Sequence, residues 1–262
     1  MKIADALNKF VPYLSEATIE RDAAALLAEY AHARGRAIAA PIPIEDIIEK
    51  HLKLCIEFDD THRLFGIPRD PEYGADILGA IFFDEARIVI DESLDPEEIP
   101  RTEGRYRFTL GHEGGGHWRL HRWIFARNPA QGALFGGPEF PSFICRSSEA
   151  KRREEWQADF YASCLLMPRN LIIEAWRKRF GDTKPRILSR RNRITWSGHV
   201  SDDFAAALQS FEHQSDDEAI NVFVRPFAEK FLVSTVAMRI RLEQLGLLHR
   251  AVPCQPSLAA GI

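Results

Sequence analysis

Ile19, Ala23, Leu26, Leu27 and Tyr30 recur at three- and four-residue intervals among polar positions, the spacing of one apolar helix face. The pattern predicts an amphipathic helix from about Ala17 to Arg34, with Gly35 placed to supply a left-handed stop. "APIPIEDIIEKH" then reads as a proline-marked turn and a short helix, and "KLCIEF" as a strand. In "ILGAIFFDEARIVIDES" two β-rich runs flank Asp84-Glu85-Ala86, which predicts a hairpin from Ile77 to Ile90. "THRLFGIPRDPEYGAD", rich in proline and glycine, reads as a loop.

Helical spacing returns from about Thr102 to Phe125, broken at a run of glycines, and "NPAQGALFGGPEFPSF" follows as a long irregular connection. Further helices are expected from about Ser148 to Leu166, stopping at Pro168, and from about Asn170 to Phe180, ending at Gly181. The texture then changes to the basic, turn-rich "GDTKPRILSRRNRITWSGH". This places a first domain at 1–182, a helical C-terminal region at 183–250 and a loose tail at 251–262. "PFAEKFLVSTVAMRIRLEQLG" reads as helix, turn, helix, with Pro226 at a helix start and Gly246 at a stop. Arg239 and Arg241 fall on its second helix, so direct DNA binding is conceivable. Their acidic surroundings favour packing or substrate docking instead, and "SRRNR" reads as a solvated loop.

Composition narrows the setting. The 262 residues are 45% hydrophobic and 27% charged with net charge −4, too mild a balance for nucleic acid or membrane to be the main partner. No run reaches the ~18 apolar residues that span a bilayer, and Asp5, Asn8 and Lys9 break any signal-like N-terminal run. Cys55, Cys145, Cys164 and Cys254 form no CxxC pair and are expected as reduced thiols in a cytoplasmic protein.

The chemistry concentrates in "RFTLGHEGGGHWRLHR". Two histidines four apart share a helix face, because four steps return to within about 40°. HExxH uses this spacing to converge two imidazoles on zinc, while the adjacent glutamate holds the attacking water. Here His112 and His117 are five apart, and five steps turn about 140°. One repair is a π-bulge at Gly114-Gly115-Gly116, which absorbs the extra residue and restores the common face. The other is a change of register, in which Glu113, His117 and His121 align at i, i+4 and i+8 and bind a structural metal. His62, in "DDTHRLFG", reads as a surface histidine.

A catalytic zinc needs a third protein ligand. In "EEWQADFYASCLLMP" Glu155 and Asp159 share a face, so Glu155 can bind metal while Asp159 accepts an imidazole N–H and orients the ring. Glu154 is the less favoured neighbour. Trp156 and Phe160 read as core, and Cys164 as a buried thiol.

"RYRFTLGHEGGGHWRLH" and "EWQADFYASCLLMP" together resemble the ImmA/IrrE family of zinc metallo-endopeptidases. Typical members carry Arg-Phe-Thr-x-Ala-His-Glu-x-Gly-His and later Glu-x-x-Ala-Asn/Asp-x-Phe-Ala before Leu-Leu-Met-Pro. The likeness runs from roughly Ile19 to Leu248 and is most specific over 76–168; "VSTVAMRIRLEQLGLL" also resembles a C-terminal stretch of the family. Gly111 stands where alanine is usual, and one extra glycine separates the histidines. The resemblance implies a zincin-like α+β fold, in which a small sheet lies over an active-site helix and a glutamate-bearing helix, with a helical C-terminal region. An edge strand of the Ile77–Ile90 hairpin would pair with an extended peptide.

The expected function is a cytoplasmic zinc-dependent endopeptidase that cleaves a protein, most plausibly a helix-turn-helix repressor. One Zn²⁺ would be held by His112, His117 and Glu155, with Glu113 as general base and Asp159 behind His112. His121 and Tyr161 are candidates for oxyanion donor, and His121 also for the alternative ligand set. The rival expectation is an inactive relative that regulates by binding protein or DNA.

Overall fold

The computed structural model describes residues 11–69, 77–126, 143–146, 152–188 and 216–250. The chain separates into two compact units: Met1–Leu171 with Glu229–Ser234, and Ile172–Ala228 with Thr235–Ile262. The expected tail at 251–262 and the SRRNR cluster lie outside the described residues. Among the described residues no helix is long and apolar enough to cross a membrane.

In the first unit, α1 (Glu16–Arg34) forms where the apolar spacing predicts it. Ser15 accepts from the Thr18 N–H at its start, and Gly35 ends it at φ 61°. The five periodic residues, Ile19 through Tyr30, are all buried. A short helix α2 (Ile44–Asp46) runs into a π turn (Ile47–His51) ahead of β1 (Cys55–Asp59). The region expected as loop opens with a helix, α3 (Thr61–Phe65), because Asp60 caps the Arg63 N–H and Gly66 ends the turn at φ 64°. His62 is buried rather than superficial: Nδ1 meets Ile67 O at 3.0 Å, while the Ile77 N–H points to Nε2.

The hairpin is β2 (Ile77–Phe82) and β3 (Arg87–Asp91), and its Ile77, Ile81, Ile88 and Ile90 are wholly buried. The four-stranded sheet has the order β1-β3-β2-β4, with β4 at Phe143–Arg146. β1 runs parallel to β3, and β2 is antiparallel to both β3 and β4. The hairpin is therefore internal. Among the described residues the edges are β1 and β4, a correction to the expectation that the hairpin offers an edge.

Across the sheet's β2 lies one helical rod. It is α4 (Glu103–Leu110), then a π-helix (Gly111–His121), then α5 (Arg122–Ala126). The rod packs on α6 (Arg153–Leu166), which packs also on α1.

The second unit contains most of α7 (Arg169–Phe180), which ends at Gly181 with φ 77°, and of α8 (Asp216–Phe231), together with α9 (Thr235–Gln244). Trp176 and Phe180 interlock with Phe223 and Phe227, with centroids 4.6–6.0 Å apart, the spacing of favourable offset and edge-on pairs. A parallel pair, β5 (Arg186–Leu188) with β6 (Leu248–Arg250), completes it. Pro226 lies inside α8, not at a helix start. Its ring removes the N–H that would reach back to Val222 and crowds that carbonyl, and α8 continues through it with Phe223, Phe227 and Phe231 buried. Arg241 is almost fully buried in α9, so it does not present an outward DNA-reading side chain.

Candidate metal centre

The π-helix decides which side chains meet. Its turns close from residue i to i+5, as in the Arg122 N–H bonded to His117 O. This adds one residue per turn, so His117 returns to the side of His112. The predicted bulge has spread over the full Gly111–His121 segment.

The glycines also set how close the rod comes to α6. A Cβ on Gly116 would lie 2.5 Å from Ala158 Cα, and one on Gly115 would lie 2.9 Å from Leu165 Cδ2. Gly111 faces Ala162. This small-residue seam draws α6 against the rod and brings Glu155 to the histidines. Gly114 makes room on the opposite side, where a Cβ would strike Ile48 and Ile88.

His112 Nε2 and His117 Nε2 are 3.1 Å apart, His112 Nε2 and Glu155 Oε2 3.2 Å, and His117 Nε2 and Glu155 Oε1 3.6 Å. Tetrahedral bonds of about 2.0–2.1 Å put neighbouring ligand atoms roughly 3.3 Å apart. The three contacts are near this spacing, with His112 and His117 approaching different oxygens of Glu155. Both rings are buried and Glu155 is partly so, and the group could hold a metal ion. Asp159 Oδ1 lies 3.0 Å from His112 Nδ1. A carboxylate there accepts the Nδ1 hydrogen and leaves the Nε2 lone pair for a metal.

Electrostatics suit a cation. Desolvation pushes the Glu155 carboxyl up, but the charges and hydrogen bonds of His117 and His112 outweigh it, so its pKa falls below the ordinary range. Burial lowers the pKa of His117, against the opposing pull of Glu155, which favours the neutral ring that ligates.

Glu113 is fully buried, and neither carboxylate oxygen has a hydrogen-bond partner. It sits beneath β2, its Cγ and Oε1 3.3 and 3.4 Å from where a Gly79 Cβ would be. Desolvation dominates its titration. His112 pulls the other way, Glu155 and Asp159 add to the rise, and the pKa is pushed up to about 8. A buried, unpartnered carboxylate is costly, which is why this carboxyl holds its proton so far above the ordinary range.

The alternative set of Glu113, His117 and His121 does not come together. Among the described residues the group able to hold a metal is His112, His117 and Glu155. His121 instead lies behind His117, with Nδ1 to Nδ1 at 2.9 Å and its Nε2 2.9 Å from Gln157 Oε1. Burial, reinforced by His117, lowers its pKa to about 3. Both ring nitrogens of His121 are thus engaged outside the His112–His117–Glu155 group. Tyr161 gives its hydroxyl hydrogen to Asp22 at 2.9 Å, so it is committed elsewhere too. Trp156 and Phe160 stack at 5.7 Å, and Cys164 is buried as a thiol.

Sequence reasoning missed Gln157 and Gly79. Gly79 left a signal, since a glycine inside an apolar strand marks a close approach. Gln157 left none. Fold and site thus define an α+β protein with a small mixed sheet and a two-histidine, one-glutamate group fit for a metal ion. No protein-family model matches the chain, and no curated protein matches it either.

Proposed function

We propose that the chain is a zinc-dependent endopeptidase acting on a protein substrate. The observation that carries this reading is the triangle of His112, His117 and Glu155 with the unpartnered carboxylate of Glu113 beside it. Two imidazoles and a carboxylate suit zinc and leave a coordination position open. When bound there, zinc supplies Lewis acidity, polarising the scissile carbonyl and acidifying water.

The chain's own groups do the rest. Asp159 fixes the His112 ring by accepting its Nδ1 hydrogen. Glu113 takes the proton of the attacking water on its carboxylate and hands it to the leaving amine. Burial poises this carboxyl near neutral pH, and a neighbouring cation favours its ionised form. The outer strand β4 borders β2, whose Gly79 faces Glu113, so its edge is the one suited to an extended substrate.

The resemblance of the histidine and glutamate segments to ImmA/IrrE metallo-endopeptidases adds the substrate: a cytoplasmic helix-turn-helix repressor. The test is incubation of the zinc-loaded protein with a co-encoded repressor, read by electrophoresis and mass spectrometry. Wild type should cut at a defined bond and Glu113→Gln should not. A Glu113→Gln protein that cuts as fast as wild type sinks the mechanism. A wild type that regulates the repressor without cutting it favours a binding module instead.

A further inference from the structure

The hydrogen bonds behind His117 run in a single direction. The carbonyl of Pro12 can only accept, so Gln157 Nε2 donates to it at 2.8 Å. This turns Gln157 Oε1, which can only accept, toward His121 Nε2 at 2.9 Å, and that nitrogen therefore carries a hydrogen. His121 is fully buried, and burial opposes a charged ring, so the ring is neutral and has a single N–H. Its Nδ1 is then an acceptor facing His117 Nδ1 at 2.9 Å. His117 must donate from Nδ1, and its Nε2 lone pair is directed to the site shared with His112 and Glu155.

We propose that His121 and Gln157 are positioning residues that lock His117 in its Nδ1–H tautomer and so present Nε2 to a divalent metal ion. Pro12 anchors the relay by fixing the orientation of the Gln157 amide. His112 receives the same service from one carboxylate, Asp159. For His117 it takes a neutral chain of three groups, which starts in the segment ahead of α1. Arg153 holds that segment as well, donating to Val11 O at 2.8 Å. The metal-binding half of this inference rests on the reading of the site given above, whereas the tautomer half does not.

The test combines imidazole ¹⁵N spectra of the metal-free protein with zinc titration against a chelating competitor and thermal unfolding. His121→Phe should shift His117 from pure Nδ1–H to a mixture and weaken zinc binding about 10–100-fold. Gln157→Met should weaken it less. Gln157→Glu keeps an acceptor for His121 but cannot donate to Pro12 and draws a second hydrogen onto the ring, so it should bind no better than Gln157→Met. Should His121→Phe fail to fold, the Gln157 pair still decides.

The relay is overturned if wild-type His117 carries its hydrogen on Nε2. It is overturned too if His121→Phe binds zinc as wild type does, or if Gln157→Met and Gln157→Glu both do. Affinity that merely tracks melting temperature across the series also overturns it. If wild type takes up no zinc but His117 is Nδ1–H and loses that preference in His121→Phe, the relay stands and the metal reading falls.

Discussion

His112 and His117 are five residues apart in the chain, yet their Nε2 atoms are 3.1 Å apart in space. An ideal α-helix would splay them by about 140°, and the π-helix from Gly111 to His121 brings them back together. The inserted residue is absorbed over the whole segment, so the ligand pair survives a spacing that would break it in an ordinary helix.

That geometry depends on how closely α6 approaches. Gly116→Val would drive a side chain into the Ala158 backbone, where a Cβ alone already lies 2.5 Å from Cα. Overpacking of this kind costs about 1–3 kcal/mol and should move Glu155 off the histidines. The expected result is a lower melting temperature together with loss of bound zinc by elemental analysis. Gly35→Ala is the control. It faces open space at φ 61° and should lower stability by about 1 kcal/mol while zinc content stays unchanged.

Asp159 should matter through His112 alone. Asp159→Ala removes the acceptor of the Nδ1 hydrogen and should weaken zinc binding about 10–100-fold, as measured by competition with a chelator. His112→Ala and Glu155→Ala, which remove ligands, should abolish stoichiometric binding. Equal losses in all three would mean that Asp159 itself ligates.

Much of this was legible in the sequence, for definite reasons. Spacing alone located α1 and its glycine stop. Donor chemistry and the i, i+4 pairing of Glu155 with Asp159 pointed to the group that the fold assembles. What failed depends on contacts that no local pattern encodes. β4, β5 and β6 are strands of three or four residues, defined by their partners rather than by alternation. Pro226 reads as a helix start by local rule, but apolar burial carries α8 through it. Gln157 could be found only by knowing how α6 is rotated against the π-helix. His62 looked superficial because its partners, Ile67 and Ile77, close around it only once α3 forms.

Burial of Glu113 predicts a pH signature for the metal-free protein. The folded chain holds this proton up to about pH 8, while the unfolded chain releases it near 4.5. Between those values the native state binds more protons, so this group's contribution to stability falls as pH rises. His117 and His121 act oppositely below about 6.5, because their folded pKa values are lowered; the clearest window is therefore pH 6.5 to 8. In denaturant titrations Glu113→Gln should gain on wild type across that window, by roughly 1.5 kcal/mol. A difference between the two that stays flat with pH would mean that Glu113 is not held protonated.

Tyr161 separates what its position in the sequence suggests from what its surroundings allow. A tyrosine six residues beyond Glu155 of the candidate metal group invites a role in stabilising an oxyanion, which would cost about 10²–10³ in rate if lost. Its hydroxyl instead donates to Asp22, which also receives Arg119 at 3.1 Å, and Arg119 bridges on to Glu29. The hydroxyl thus ties α6 to α1 through a charged network. Tyr161→Phe should therefore cost about 1.5–3 kcal/mol of stability, a hydrogen bond to a charged acceptor. If the proposed cleavage of a repressor is the activity, its kcat should remain within a few-fold of wild type at temperatures well below the transition. A fall of two orders of magnitude with an unchanged melting temperature would place the hydroxyl on the substrate, and the Asp22 contact would then have to break during turnover.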